Sequence, residues 1–228
     1  MKKLCALLIL FFSPSLLLAQ NPNDLGGWYM YFGNFRWKDS PWAIHGEMQL
    51  RNFNTTSDLD QLLIRSGIQY NSKSGQTSFL AGYASITNGT AGDSDATLHE
   101  NRLYQEAILR QKAGKIGLMH RYRYEQRWIE NQDFRTRFRY ALFLNVPLNS
   151  KELSEKGSIY FQIYDEIFIN GERLTPAMQF FDRNRIYAGL GFRLQKGFAI
   201  QLGFMEQTTN SLSKGQLQVG IHHQLLSK

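Results

Sequence analysis

The sequence predicts an all-β fold, an antiparallel transmembrane β-barrel of about 10–12 strands, and three observations carry that expectation. The first is an alternation of charged and apolar side chains sustained well past the length of an ordinary strand. In His120–Trp128, Arg121, Arg123, Glu125 and Arg127 fall on one face, with Tyr122, Tyr124 and Trp128 on the other, because successive side chains of a strand point to opposite sides. Phe134–Leu144 repeats the pattern, with Arg135, Arg137 and Arg139 alternating with Phe134, Thr136, Phe138, Tyr140, Leu142 and Leu144. At about 3.6 residues per turn, a helix would smear these arginines around its whole circumference. The second observation is a secretory signal at the N-terminus. The third is that no later apolar run reaches the roughly 20 residues of a spanning helix. Any later segment that crosses a membrane must then be β, since only helices and closed barrels satisfy every backbone polar group in lipid.

Lys2 and Lys3 precede the apolar run Leu4–Leu18, and Leu17-Leu18-Ala19 ends it at a small-residue cleavage site. Residues 1–19 are therefore expected to be removed, leaving Gln20 first and 20–228 as the barrel. An uncleaved anchor fits less well, because the run is short and Pro14 interrupts it. Cys5, the one cysteine, lies at the start of that run, so it does not fit the lipidated cysteine that follows a lipoprotein signal. Residues 20–228 then hold no thiol, which excludes disulfides, thiolate metal sites and cysteine nucleophiles. With 43% apolar and 14% aromatic residues the chain is too rich for disorder. The 26 Lys and Arg against 19 Asp and Glu give +7, and losing Lys2 and Lys3 leaves +5. That balance could point to nucleic acid. The arginines, however, are dealt singly along alternating strands of an exported chain, and no nucleic-acid partner is expected.

Period two divides the chain into eleven strand candidates. Gly27–Trp37 is aromatic on both faces, and Lys38-Asp39-Ser40-Pro41 turns it back. Trp42, Ile44, Met48 and Leu50 then alternate with His45, Glu47, Gln49 and Arg51. Leu62, Ile64, Ile68 and Tyr70 oppose Arg65, Gly67 and Gln69, and Asn71–Gly75 supplies a turn. Thr77–Ile86 is a strand whose facing the pattern leaves open. Leu98–Gln111 sets Arg102, Tyr104, Glu106 and Arg110 against Leu103, Ala107 and Leu109, and Lys112–Lys115 turns tightly into the first arginine-rich strand. After the second come Ser158–Asn170, with Gln162, Tyr164 and Glu166 inward, and Arg183–Gln195, with Arg185, Tyr187 and Arg193 inward. Lys196-Gly197 turns into Phe198–Phe204, and Leu217–Leu225 closes the chain. Short and longer connections alternate, as between the two ends of a membrane barrel. Because single-chain bacterial barrels carry even strand numbers, eleven implies one strand too many or too few. A soluble β-sandwich would also alternate, but its strands are typically about 5–6 residues long. Trp28, Trp37, Trp42, Tyr70 and Trp128, near strand ends, are expected to form interfacial girdles.

Four ordered motifs carry a family resemblance: His120–Arg127, Arg137–Tyr140, Asp165–Asn170 and Phe181–Gly191. Together they resemble an uncharacterised outer-membrane β-barrel family, a domain of unknown function common in the Bacteroidetes, over essentially all of 20–228. The resemblance implies fold and location. It brings no substrate and no catalytic residue. The ending His222–Lys228 departs from many barrels in lacking a terminal aromatic residue.

The expected inward charges are Arg51, Arg65, Arg102, Arg110, Arg121, Arg123, Arg127, Arg135, Arg137, Arg139, Arg185 and Arg193, against Glu47, Glu100, Glu106, Glu125 and Glu166. The candidate network centres on Arg121, Arg123, Glu125, Arg127, Arg135, Arg137, Arg139, Glu166 and Arg185. Small barrels fill their interiors with side chains, and arginine pairs bidentately with carboxylates, so the first expectation is a chiefly structural lumen. The alternative is a narrow, anion-preferring, porin-like channel, with a small anionic solute as its partner. A lipid-modifying enzyme ranks third: no Gly-x-Ser-x-Gly or His-Glu-x-x-His occurs, local sequence places no serine beside His45, and His120, on the apolar face, and His222 and His223, on opposite faces, make no local pair. No enzyme activity, cofactor or metal is expected. Asp93 and Asp95 lack the glycine and glutamate that complete a calcium loop. The sequons at Asn54 and Asn88 read as turn residues. The expected setting is outer-membrane lipid of a Gram-negative bacterium, with the oligomeric state open.

Overall fold

The computed structural model describes residues 25–92, 94–150, 152–173 and 179–227; the expected signal at 1–19 and Asp93 lie outside them. Eleven strands form one closed barrel: β1 (Gly26–Arg36), β2 (Trp42–Asn52), β3 (Leu59–Asn71), β4 (Thr77–Asn88), β5 (Leu98–Ala113), β6 (Ile116–Ile129), β7 (Arg135–Pro147), β8 (Ile159–Asn170), β9 (Phe181–Gln195), β10 (Phe198–Thr208) and β11 (Ser213–Leu226). Among the described residues there is no helix. Each strand pairs antiparallel with its neighbours in sequence, and β1 closes the barrel on β11 in parallel.

The parallel seam corrects the expectation of an even count. In a meander every strand reverses the one before it, so an odd number brings the last strand round in the direction of the first. All eleven runs are strands. The seam runs from Gly26↔Gln216 to Arg36↔Leu226, and Phe32 stacks on His222 across it at 4.8 Å between ring centres.

Turns follow local chemistry. β5 and β6 are joined through Gly114 and Lys115, with Gly114 at φ +62°, a left-handed conformation that glycine enters without steric cost. Connections 37–41, 72–76, 114–115 and 196–197 lie at one end of the barrel, and 53–58, 130–134, 209–212 and the described parts of 89–97 and 171–180 at the other. One longer connection, described over 148–150 and 152–158, sits at the short-turn end and folds across it. Arg193, inward on β9, donates from Nε to the Leu153 carbonyl, and Lys112 at the end of β5 pairs with Glu152 at 2.7 Å. A Cβ built on the inward position Gly117 would stand 2.9 Å from Leu153 Cδ1, which places the leucine in that end of the barrel.

The outward face is apolar and aromatic, with Ile64, Ile68, Phe79, Phe138 and Leu202 all exposed. β4, whose facing the pattern left open, turns Ser78, Leu80, Ala84 and Ile86 inward. Those apolar residues form a small inner cluster with Leu63 and Tyr104. Gly82 makes room for it: a Cβ there would lie 2.6 Å from the Tyr104 hydroxyl. Trp37, Trp42, Tyr70 and Trp128 are exposed on the outside, but Trp28 is not a girdle residue. It is buried inside the barrel, with Arg51 stacked over its ring at 3.9 Å and Arg185 at 4.8 Å. Because β1 is aromatic on both faces, alternation could not orient it. An indole face is a favourable surface for guanidinium groups.

Candidate functional site

Strand register assembles the interior charges. Glu125 faces Arg137 across the β6–β7 ladder, one step from Arg123↔Arg139. With side chains alternating in and out, these groups meet on the inner face. Glu125 accepts from Arg137 Nη2 at 2.6 Å and Arg139 Nη1 at 2.7 Å, with Arg123 at 3.7 Å and Arg102 at 3.9 Å. It is 1% exposed. Glu166 takes Arg139 at 2.7 Å and Arg121 at 2.8 Å, with Arg185 at 4.0 Å. Glu100 holds Arg102 at 2.5 Å and Arg127 at 2.6 Å, Glu106 holds Arg123, and Glu47 holds Arg65 at 2.9 Å. Arg135 donates to Gln132, near the rim.

The structure therefore brings Arg121, Arg123, Glu125, Arg127, Arg137, Arg139, Glu166 and Arg185 to the inner face, with Arg135 at its edge. Glu125 serves the β7 arginines more closely than those of its own strand: Arg121 goes to Glu166 and Arg127 to Glu100. Such clusters hold together because a buried charge is tolerated only when paired. Aromatic rings pack among these charges. Phe168, 1% exposed, lies under Arg139 at 4.3 Å, Arg185 at 4.6 Å and Arg137 at 5.1 Å.

Two carboxylates escaped the sequence reading. Asp182 pairs with Arg137 at 2.7 Å and Arg183 at 3.2 Å. It is skipped in the β8–β9 register, where Phe168↔Arg183 is followed by Ile169↔Phe181. Asp60 is skipped likewise between Arg51↔Gln61 and Asn52↔Leu59, and faces Arg51 from beyond ion-pair distance. A bulge adds one residue to a strand and re-aims its side chain, so strict alternation misplaces both. Arg183, by contrast, could have been found by stepping back two residues from Arg185.

Three spaces follow one another along the interior. At the long-loop end a polar mouth of about 560 Å³ is lined by residues including Gln61, Glu100, Arg127, Asp182, Arg183 and Asn210. Beneath it lies a cavity of about 40 Å³ lined by Arg51, Gln61, Leu63, Arg65, Arg102, Arg127, Arg137, Arg139, Phe168, Arg183 and Arg185. Deeper still, a space of about 90 Å³ is bounded by Trp28, Glu47, Arg121, Tyr164, Gln201 and His222, among others. A concavity of about 690 Å³ is on the outward face among apolar and aromatic residues such as Ile68, Phe79, Tyr122 and Phe138.

The histidines bond to Glu47 (His45, 3.5 Å), Thr87 (His99, 3.4 Å), Tyr140 (His120, 2.9 Å), Gln201 (His222, 2.7 Å) and Tyr31 (His223, 3.1 Å). Among the described residues none bonds to a serine, and no three potential metal ligands gather. The family described as "Protein of unknown function (DUF2490)" matches residues 25–218. No curated protein and no solved structure matches the chain.

Proposed function

Because the chain belongs to the DUF2490 family, described only as of unknown function, we propose its role from the geometry: an outer-membrane β-barrel whose interior is a structural ion network and which does not conduct. The observation that carries this reading is the sequence of spaces along the barrel. An open mouth gives way to cavities of only about 40 and 90 Å³, and Leu153 with its loop lies across the far end. A column that narrows so far among the described residues is a poor path for a hydrated ion. The outward face supports the membrane setting: Ile64, Phe79, Leu202 and their neighbours form a broad apolar exterior, far more contiguous than a soluble surface carries. The cleavable signal expected at 1–19 agrees with that address, as does the resemblance to bacteroidete outer-membrane barrels.

The test has two arms. The protein should fractionate with outer membranes and run as a heat-modifiable band on mild-detergent gels, and recovery from the soluble periplasm would end the location. Purified protein in planar bilayers should show no single-channel steps at any salt concentration. Steady conductance preferring anions would promote the channel reading, which the excess of interior arginine over carboxylate favours.

A further inference from the structure

We propose that the arginine-lined cavity beneath the mouth is a binding site for a tetrahedral oxyanion, a phosphate or sulfate group that enters from the long-loop end. Arginines make up most of its lining, and no carboxylate side chain contributes to it. Six of the eight lining arginines, Arg65, Arg102, Arg127, Arg137, Arg139 and Arg183, are held from behind by Glu47, Glu100, Glu125, Glu166 and Asp182, none of which lines the cavity; the other two are not so held.

Arg51 and Arg185 define the difference. Both are buried. Arg51 donates to the neutral side chains of Gln49 at 2.9 Å and Gln61 at 2.6 Å, and among the described residues no carboxylate oxygen lies within 4.0 Å of it. Arg185 donates to Gln207 at 2.8 Å, and its nearest carboxylate, Glu166, stands at 4.0 Å and is already held by Arg139 and Arg121. Both guanidinium groups rest on the Trp28 ring, so they are fixed in place before any ligand arrives. Arg65, buried on the cavity wall, has an Nε–H without a protein partner. Arg51 and Arg185 are thus buried cations with no carboxylate closer than 4.0 Å among the described residues, a costly arrangement unless an opposite charge joins them. Asp60 faces Arg51 from outside the lining, and Asp182 and Glu100 occupy the rim; none enters the cavity.

Size and access agree. A single water needs about 10–15 Å³ of such volume, so about 40 Å³ takes a group of a few heavy atoms. Guanidinium forks match the paired oxygens of phosphate and sulfate. Gln61, Arg127 and Arg183 line both this cavity and the mouth, so the two are neighbours across these side chains, and the mouth has room for a polar molecule that carries the oxyanion.

The site does not depend on the membrane setting or on whether the barrel conducts, because binding is read on the purified full chain in detergent. Inorganic phosphate titrated into chloride buffer by calorimetry should show saturable, single-site binding, matched by sulfate. Arg51→Gln and Arg185→Gln should each weaken it by at least about tenfold, the loss of one charge-assisted contact. Arg110→Gln, whose parent side chain bonds Ser78 at 2.7 Å toward the short-turn end, should bind as the unaltered chain does. If Arg51→Gln does not fold, Arg51→Lys keeps the charge but loses the fork, and should still weaken binding. Glucose 6-phosphate separates the two sources of the group. Tighter binding than phosphate, abolished selectively by Ser211→Trp at the mouth, identifies a phosphorylated polar molecule; equal binding identifies the free ion. No saturable phosphate or sulfate binding in the folded barrel, or glucose binding as well as its phosphate, overturns the proposal.

Discussion

Glu125 concentrates what is at stake at single residues. Four arginines approach within 4.0 Å of its carboxylate, so removing it strands several buried cations at once. Glu125→Ala should destabilise the barrel by about 3–5 kcal/mol, the cost of breaking a buried pair from one side, read as a lower denaturant midpoint in the heat-modifiability assay. Glu125→Gln keeps the shape and acceptor but not the charge, and should fall between. Unchanged stability in both variants would mean that water or an anion already serves these arginines. Alternation alone was enough to place Glu125, Arg137 and Arg139 on one face. Their partners across strands depended on register, which no local pattern specifies. Trp28 shows the limit most clearly, since an aromatic near a strand end fits a girdle equally well until Arg51 and Arg185 are seen on its ring.

Among the elements, the seam between β1 and β11 differs from every other ladder. Parallel pairing is slightly less stable per residue than antiparallel, and the two strands are not tethered by a hairpin. Side-chain contacts across the seam include Phe32 on His222 and Tyr31 beside His223, with no ion pair among the described residues. Hydrogen exchange should therefore reach β1 and β11 before the β5–β6–β7 ladders, where Glu125 and its arginines lock the strands together. Protection as high at the seam as in β6 would contradict this. The outward faces carry a separate expectation under the outer-membrane reading: Leu202→Arg, placed on an exposed position of β10, should cost about 2–4 kcal/mol if it lies near the bilayer midplane, measured as folded yield in vesicles. All eleven strands were legible as strand-length runs, though alternation could not orient β1 or β4. What was not legible was the pair of bulges that turn Asp60 and Asp182, because a bulge leaves no mark on hydrophobicity and shifts the parity on which the reading depends.

For the whole molecule, the strand count fixes where the chain enters and leaves the barrel. Because eleven is odd, β1 starts at Gly26 beside the long loops, whereas β11 ends at Leu226 beside the short turns. An even-stranded barrel would bring both to the same end. In an outer membrane the short turns belong on the periplasmic side and the longer loops outside, so residue 25 should face the medium and residue 227 the periplasm. The chain supplies a clean probe, since its one cysteine, Cys5, leaves with the expected signal. Single cysteines at Leu25, Thr56, Lys73 and Ser227 can be labelled on intact cells with a maleimide that does not cross membranes. Leu25→Cys and Thr56→Cys should react, and Lys73→Cys and Ser227→Cys should react only after the outer membrane is opened. The reverse pattern would keep the eleven-strand closure but invert the barrel, putting the arginine-lined mouth toward the periplasm and its ligand among periplasmic solutes. Labelling of Leu25→Cys together with Ser227→Cys from one side would break the closure itself, because no odd meander can place both there.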